Sequence, residues 1–154
     1  MVSGRLVATV IVGVWGLTAC AVHDPGFMRR YACPGMGAVC NVPVTVVVVD
    51  GVCRPKLVNN AQNTLDMPPH ENNVVIRWVL DASSHANYEF RNDGFDLKTG
   101  TTDQFPARGR IMGGKGFQVI NVHTNTASYE YYLLVHHKSS AQTCKLDPFI
   151  NNVN

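Results

Sequence analysis

Between Val74 and Asp81 the chain alternates strictly, with Val74, Ile76, Trp78 and Leu80 on one side and Val75, Arg77, Val79 and Asp81 on the other. A period of two over eight residues describes a half-buried β-strand, because successive strand side chains point to opposite faces. Trp78 falls on the apolar side, where a large aromatic ring is a core residue. The pattern recurs along the chain. Val42, Val44, Val46 and Val48 alternate with Pro43, Thr45, Val47 and Val49, and Asp50-Gly51 then marks a two-residue hairpin turn. The returning strand meets Pro55, which limits it to a short or edge strand.

Further strands follow from the same reasoning. Residues 59–73 are polar and read as a loop with one extended piece at Leu65–Met67. Tyr88–Phe90 and Phe95–Leu97 flank a turn at Asn92-Asp93-Gly94. Residues 98–115 are rich in Gly, Thr and Arg, leaving Phe105, Ile111 and Met112 as their core anchors. Phe117, Val119 and Asn121 form one alternating face, and Tyr129, Tyr131, Leu133 and Val135 another, with Asn125-Thr126 placed to turn a hairpin between them. Pro148 suits a final edge strand that ends in Phe149 and Ile150. No stretch keeps a helical apolar period. The expected fold is all-β: an antiparallel β-sandwich, immunoglobulin-like or cupredoxin-like in shape, with about seven strands.

The N-terminus reads differently. Arg5 gives a short positive region, Leu6–Trp15 an apolar one, and small residues lead to Cys20. This is the order of a secretory signal peptide, too short for a membrane-spanning helix. Leu17-Thr18-Ala19-Cys20 resembles the lipobox of bacterial lipoproteins, which implies that Cys20 is the lipidated residue. Acyl chains add about 0.8 kcal/mol per buried methylene, so several on one cysteine hold a domain at the membrane. Ala21 stands where an Asp commonly retains Gram-negative lipoproteins at the inner membrane, so the resemblance favours the outer membrane. The alternative is ordinary cleavage after Ala19-Cys20-Ala21, which releases a soluble periplasmic protein starting at Val22.

These readings divide the chain into a signal peptide at 1–19, a tether at 20–40 and a sandwich domain at 41–154. With Cys20 acylated, the five cysteines leave an even set, Cys33, Cys40, Cys53 and Cys144. Exported chains favour disulfides. Of three connectivities, the expected one joins Cys33 to Cys40 around Pro34-Gly35 and Cys53 to Cys144 across the length of the domain. Zinc is disfavoured because no CxxC pair occurs.

The strands also resemble a loose group of small exported proteobacterial proteins of unknown function. The residues that carry this are the Val-rich hairpin with Asp50-Gly51 and Cys53, then Val75–Leu80, Tyr88–Phe90 with Asp93-Gly94-Phe95, Tyr129–Tyr132, and Leu146–Ile150. The resemblance implies a fold and transfers no catalytic residue.

Chemistry-bearing motifs are sparse. Net charge is +2, and the 13 Lys and Arg are scattered, which argues against nucleic acid as a partner. There is no Gly-x-Ser-x-Gly or Ser-x-x-Lys, and Gly113-Gly114-Lys115-Gly116 lacks the spacing of a phosphate loop. His136 and His137 are strand neighbours and point apart, while His123 could meet one of them across a hairpin. Cys144 has no later His or Met to complete a cupredoxin copper site. No catalytic residue, metal or cofactor is therefore expected. The expected role is a non-enzymatic envelope lipoprotein, held at the membrane by its lipid and docking an unidentified envelope protein. Its candidate contact surface is Gln118, Glu130 and Tyr132, or an edge strand left unblunted. The alternative is a periplasmic domain that binds a metal or small ligand if His70, His85 and His123 converge.

Overall fold

The computed structural model describes residues 31–34, 39–58, 63–140 and 142–153. The expected signal peptide at 1–19 and Cys20 lie outside the described residues. In chain order the strands are β1 (Tyr31–Ala32), β2 (Cys40–Val49), β3 (Val52–Leu57), β4 (Thr64–Met67), β5 (Val74–Leu80), β6 (Tyr88–Leu97), β7 (Ala107–Ile111), β8 (Gly116–Asn121), β9 (Ala127–His137), β10 (Thr143–Leu146) and β11 (Phe149–Asn152). One short helix, α1 (Ala82–Asn87), follows β5.

Two sheets pack face to face as an all-β sandwich. One has five strands in the order β3-β2-β5-β8-β7. The other has six: β1-β4-β11-β9-β10, with β6 on the opposite side of β9. The core lies between them and includes the apolar side of β5, where Ile76, Trp78 and Leu80 are fully buried. From the facing sheet come Phe90, Phe95, Tyr131 and Leu133. Trp78 sits 5.4 Å from the Tyr131 ring and 5.8 Å from Phe95. A buried amide pair also spans the sheets: Asn121 Nδ2 on β8 donates to Asn152 Oδ1 on β11 at 2.7 Å.

The β2–β3 hairpin forms as expected. Asp50 and Gly51 have φ of 51° and 74°, the pair of positive values that a two-residue turn needs to match strand twist. β3 is an edge strand of its sheet, and Pro55 opposite Val46 fits there. Val46 gives its N–H to Ser84 Oγ at 2.8 Å, away from β3. The missing N–H of Pro55 likewise faces away from β2, so no ladder bond is lost.

Both expected disulfides are present. Cys33 joins Cys40 at a Cα separation of 5.0 Å, and Cys53 joins Cys144 at 5.3 Å. The first ties residues 31–34, within the segment read as tether, to the start of β2, where both cysteines are buried and β1 pairs with β4.

Several details differ from the sequence reading. Eleven strands form among the described residues instead of about seven; the extended piece at Leu65–Met67 is β4 and the final strand is β11, whereas β1 and β10, two and four residues long, are too short to show a period. β7 (Ala-Arg-Gly-Arg-Ile) has no apolar alternation and joins through its backbone. Pairing is mixed, not purely antiparallel: β2 runs parallel to β5, and β4 parallel to β1 and β11. Asn92-Asp93-Gly94 is a register shift within one long β6, not a hairpin turn. Gly94 is required there, since a Cβ would fall 2.7 Å from the Phe117 ring. Pro148 links β10 to β11, and β11 is an interior strand between β4 and β9. Met112 is 58% exposed and anchors no core.

Asn125-Thr126 does not close a hairpin, because β8 pairs with β5 and β7 while β9 pairs with β6, β10 and β11. The connection crosses from one sheet to the other. His123 turns it with φ of 49°, and Gln104 holds Thr124 through both ends of its amide, at 2.6 and 3.2 Å.

Candidate functional site

That crossover separates the expected contact surface. Gln118 faces outward from the five-stranded sheet, where its Oε1 accepts from Arg77 Nη2 at 2.8 Å and Nε at 3.2 Å. Glu130 and Tyr132 face outward from the six-stranded sheet, on the opposite side of the sandwich. The three residues therefore do not form one face, and Gln118 drops out.

Glu130 and Tyr132 do belong together, and two lysines join them. Lys145 on β10 places its Nζ 3.4 Å from the Tyr132 ring centroid, and Lys98, just after β6, sits at 4.9 Å. Lys98 also pairs with Glu130 and with Asp147, the latter at 2.8 Å. The Asp147 and Glu130 carboxylates hold the Lys98 ammonium well above the usual lysine range, so it stays charged. Strand alternation found Tyr132. The lysines come from two other segments, and only the pairing of β9 with β6 and β10 brings them over its ring. A cation over an aromatic face contributes about 0.5–1 kcal/mol at exposed sites.

The histidines separate likewise. His70 and His123 line one pocket of about 320 Å³ with Asn72, Thr124, Asn125 and Thr126. His123 is 7% exposed, and its Nδ1 is buried without a partner. His85 lies elsewhere, on α1. His137 packs edge-on against Tyr88, 5.0 Å between centroids, and His123 meets neither it nor His136 because the expected hairpin is absent. Among the described residues, no three His, Cys, Asp or Glu are grouped to hold a metal ion.

His136 belongs to a third cluster that the sequence did not show. Its Nε2 lies 3.1 Å from Glu89 Oε1, and Arg110 Nη2 donates to Glu89 Oε2 at 3.0 Å. The pairing of β6 with β9 puts Glu89 directly opposite His136. Arg110 reaches them from β7, the edge of the other sheet. Beside it, Arg91 holds Asp93 with two nitrogens, at 2.7 and 2.8 Å. No signal in one segment could have revealed this group, since it draws on β6, β7 and β9.

No known protein-family model matches this chain, and no curated protein matches it.

Proposed function

We propose that this chain is an exported envelope lipoprotein, anchored through Cys20, whose sandwich acts by docking a protein partner and carries out no chemistry. The observation that supports the docking role is Tyr132 with Lys98 and Lys145 over its ring, flanked by Glu130 and Asp147. An aromatic side chain ordered by fixed charges loses little freedom on binding, which is the character of an interface anchor. The Cys53–Cys144 bond supports export, because such bonds persist in oxidising compartments.

A photo-crosslinking residue placed at Tyr132 tests the docking role in intact cells. The expected result is one discrete adduct that disappears in Lys145→Glu, while the same probe at Gln118, on the opposite face, gives none. Equal labelling from both faces would contradict it. A second reading, capture of a small ligand or metal by loop histidines, draws on the pocket shared by His70 and His123, with Asn72 and Asn125 as further donors.

A further inference from the structure

The corner where β6, β9 and β10 meet β7 carries a cleft of about 460 Å³, lined by Arg91, Asn92, Asp93, Arg110, His136 and Thr143. We infer that this cleft binds a phosphate group. Its two arginines are only partly engaged by neighbouring side chains. Arg91 donates to Asp93 from Nε and Nη2, and to Thr143 Oγ1 from Nη1 at 3.0 Å, which engages three of the five guanidinium N–H groups. Arg110 donates to Glu89 and, at 3.3 Å, to Asn92 Oδ1, which engages two of five. Two N–H groups therefore remain on Arg91 and three on Arg110.

The acids are in the opposite condition. Both oxygens of Asp93 are held by Arg91, and Glu89 gives one to Arg110 and the other to His136. Thr143 accepts from Arg91 and keeps its hydroxyl proton to donate. Asn92 accepts from Arg110 through Oδ1 and keeps its amide N–H₂. A group entering the cleft thus meets a surplus of donors, two of them on guanidinium forks.

The donors also come from three directions: Arg91 and Asn92 on β6, Arg110 on β7 and Thr143 on β10. A carboxylate presents its acceptors in one plane. A tetrahedral phosphate presents them in several, and guanidinium groups suit it through paired N–H bonds. The turn after β7 adds preorganisation. Gly114 has φ of 88°, and a Cβ on it would fall 2.3 Å from Arg110 Nη2 and 2.9 Å from Glu89 Oε2. The bare backbone there lets the Arg110–Glu89 pair sit flush beneath the cleft.

Two sources share this chemistry: a free phosphate ester and a phospholipid headgroup. Full-length protein in detergent, with disulfides intact, is titrated with inorganic phosphate and separately with short-chain phosphatidylglycerol at constant ionic strength. The readouts are calorimetry and the ¹⁵Nε signals of Arg91 and Arg110. The expected result is saturable binding of one phosphate per chain, with both arginine signals shifting and affinity falling at least tenfold in Arg110→Gln and in Arg91→Gln. Tighter binding of the lipid than of inorganic phosphate assigns a headgroup, and the reverse a soluble phosphate ester. The Asn92→Ala/Thr143→Val variant leaves the ion pairs intact and is expected to weaken binding several-fold, which keeps the test open if an arginine variant misfolds. No saturable binding of either probe, or binding that leaves both arginine signals unmoved, would overturn the inference.

Discussion

Cys53 and Cys144 join the edge strand of one sheet to the edge strand of the other, β3 to β10. The bond spans 91 residues of sequence, so on the chain-entropy model it restricts the unfolded chain by about 4–5 kcal/mol. Replacing both cysteines with Ala is expected to lower unfolding free energy by about 2–5 kcal/mol in a denaturant titration. The intact protein is expected to show no free thiol at Cys33, Cys40, Cys53 or Cys144, and a proteolytic digest to contain a peptide joining Cys53 to Cys144. Recovery of a Cys40–Cys53 peptide instead would contradict the connectivity.

The two glycines after β7 separate backbone strain from packing. Gly113 has φ of 63° with open space where a methyl group would project, whereas Gly114 has φ of 88° with Arg110 and Glu89 against it. Each Gly→Ala change is expected to cost about 1–2 kcal/mol for the left-handed backbone alone. Gly114→Ala is expected to cost more than Gly113→Ala by thermal unfolding, because it also displaces Arg110 from Glu89. Most of that excess is expected to vanish in an Arg110→Ala background.

Asp81 caps α1, accepting from the Ser84 N–H at 2.7 Å and the Ser83 hydroxyl at 2.7 Å. Burial pushes its pKa upward, but hydrogen bonds from the Ser84 backbone and from the Ser83, Thr45 and Ser84 hydroxyls outweigh it. They bring the carboxyl down from 3.8 to about 2. A folded pKa below the unfolded one means stability that is present above 3.8 and lost as pH falls through 2. Asp81→Ala is expected to cost about 1 kcal/mol at neutral pH. The gap from wild type, followed by denaturant unfolding at successive pH values, is expected to close across that acid window.

Much of the fold is legible in the chain because period two states which side of a strand is buried. Ile76, Trp78, Leu80, Tyr129, Tyr131 and Leu133 all lie in the core as their alternation indicates, and Asp50-Gly51 turns as its composition requires. Period two does not state which strand lies alongside. Phe117–Asn121 and Tyr129–Val135 carry equally good patterns and sit in different sheets, so Gln118 and Tyr132 end on opposite faces. Partners are set by long-range packing, such as the amide pair between Asn121 and Asn152. The Glu89–His136–Arg110 group was hidden for the same reason, its members coming from three strands far apart in sequence. Asn92-Asp93-Gly94 has turn composition, yet the chain runs on through it because Gly94 is used for close approach to Phe117.

In the proposed reading the membrane anchor rests on Cys20, and acylation there would leave the remaining cysteines an even set for the Cys33–Cys40 and Cys53–Cys144 bridges. Intact-mass measurement of the mature protein recovered from the membrane fraction addresses this directly. The predicted result is an N-terminus at Cys20 carrying lipid mass, partition into detergent, and a slower-migrating precursor for Cys20→Ser. An unmodified N-terminus at Val22 on a protein that stays in the aqueous phase would contradict it.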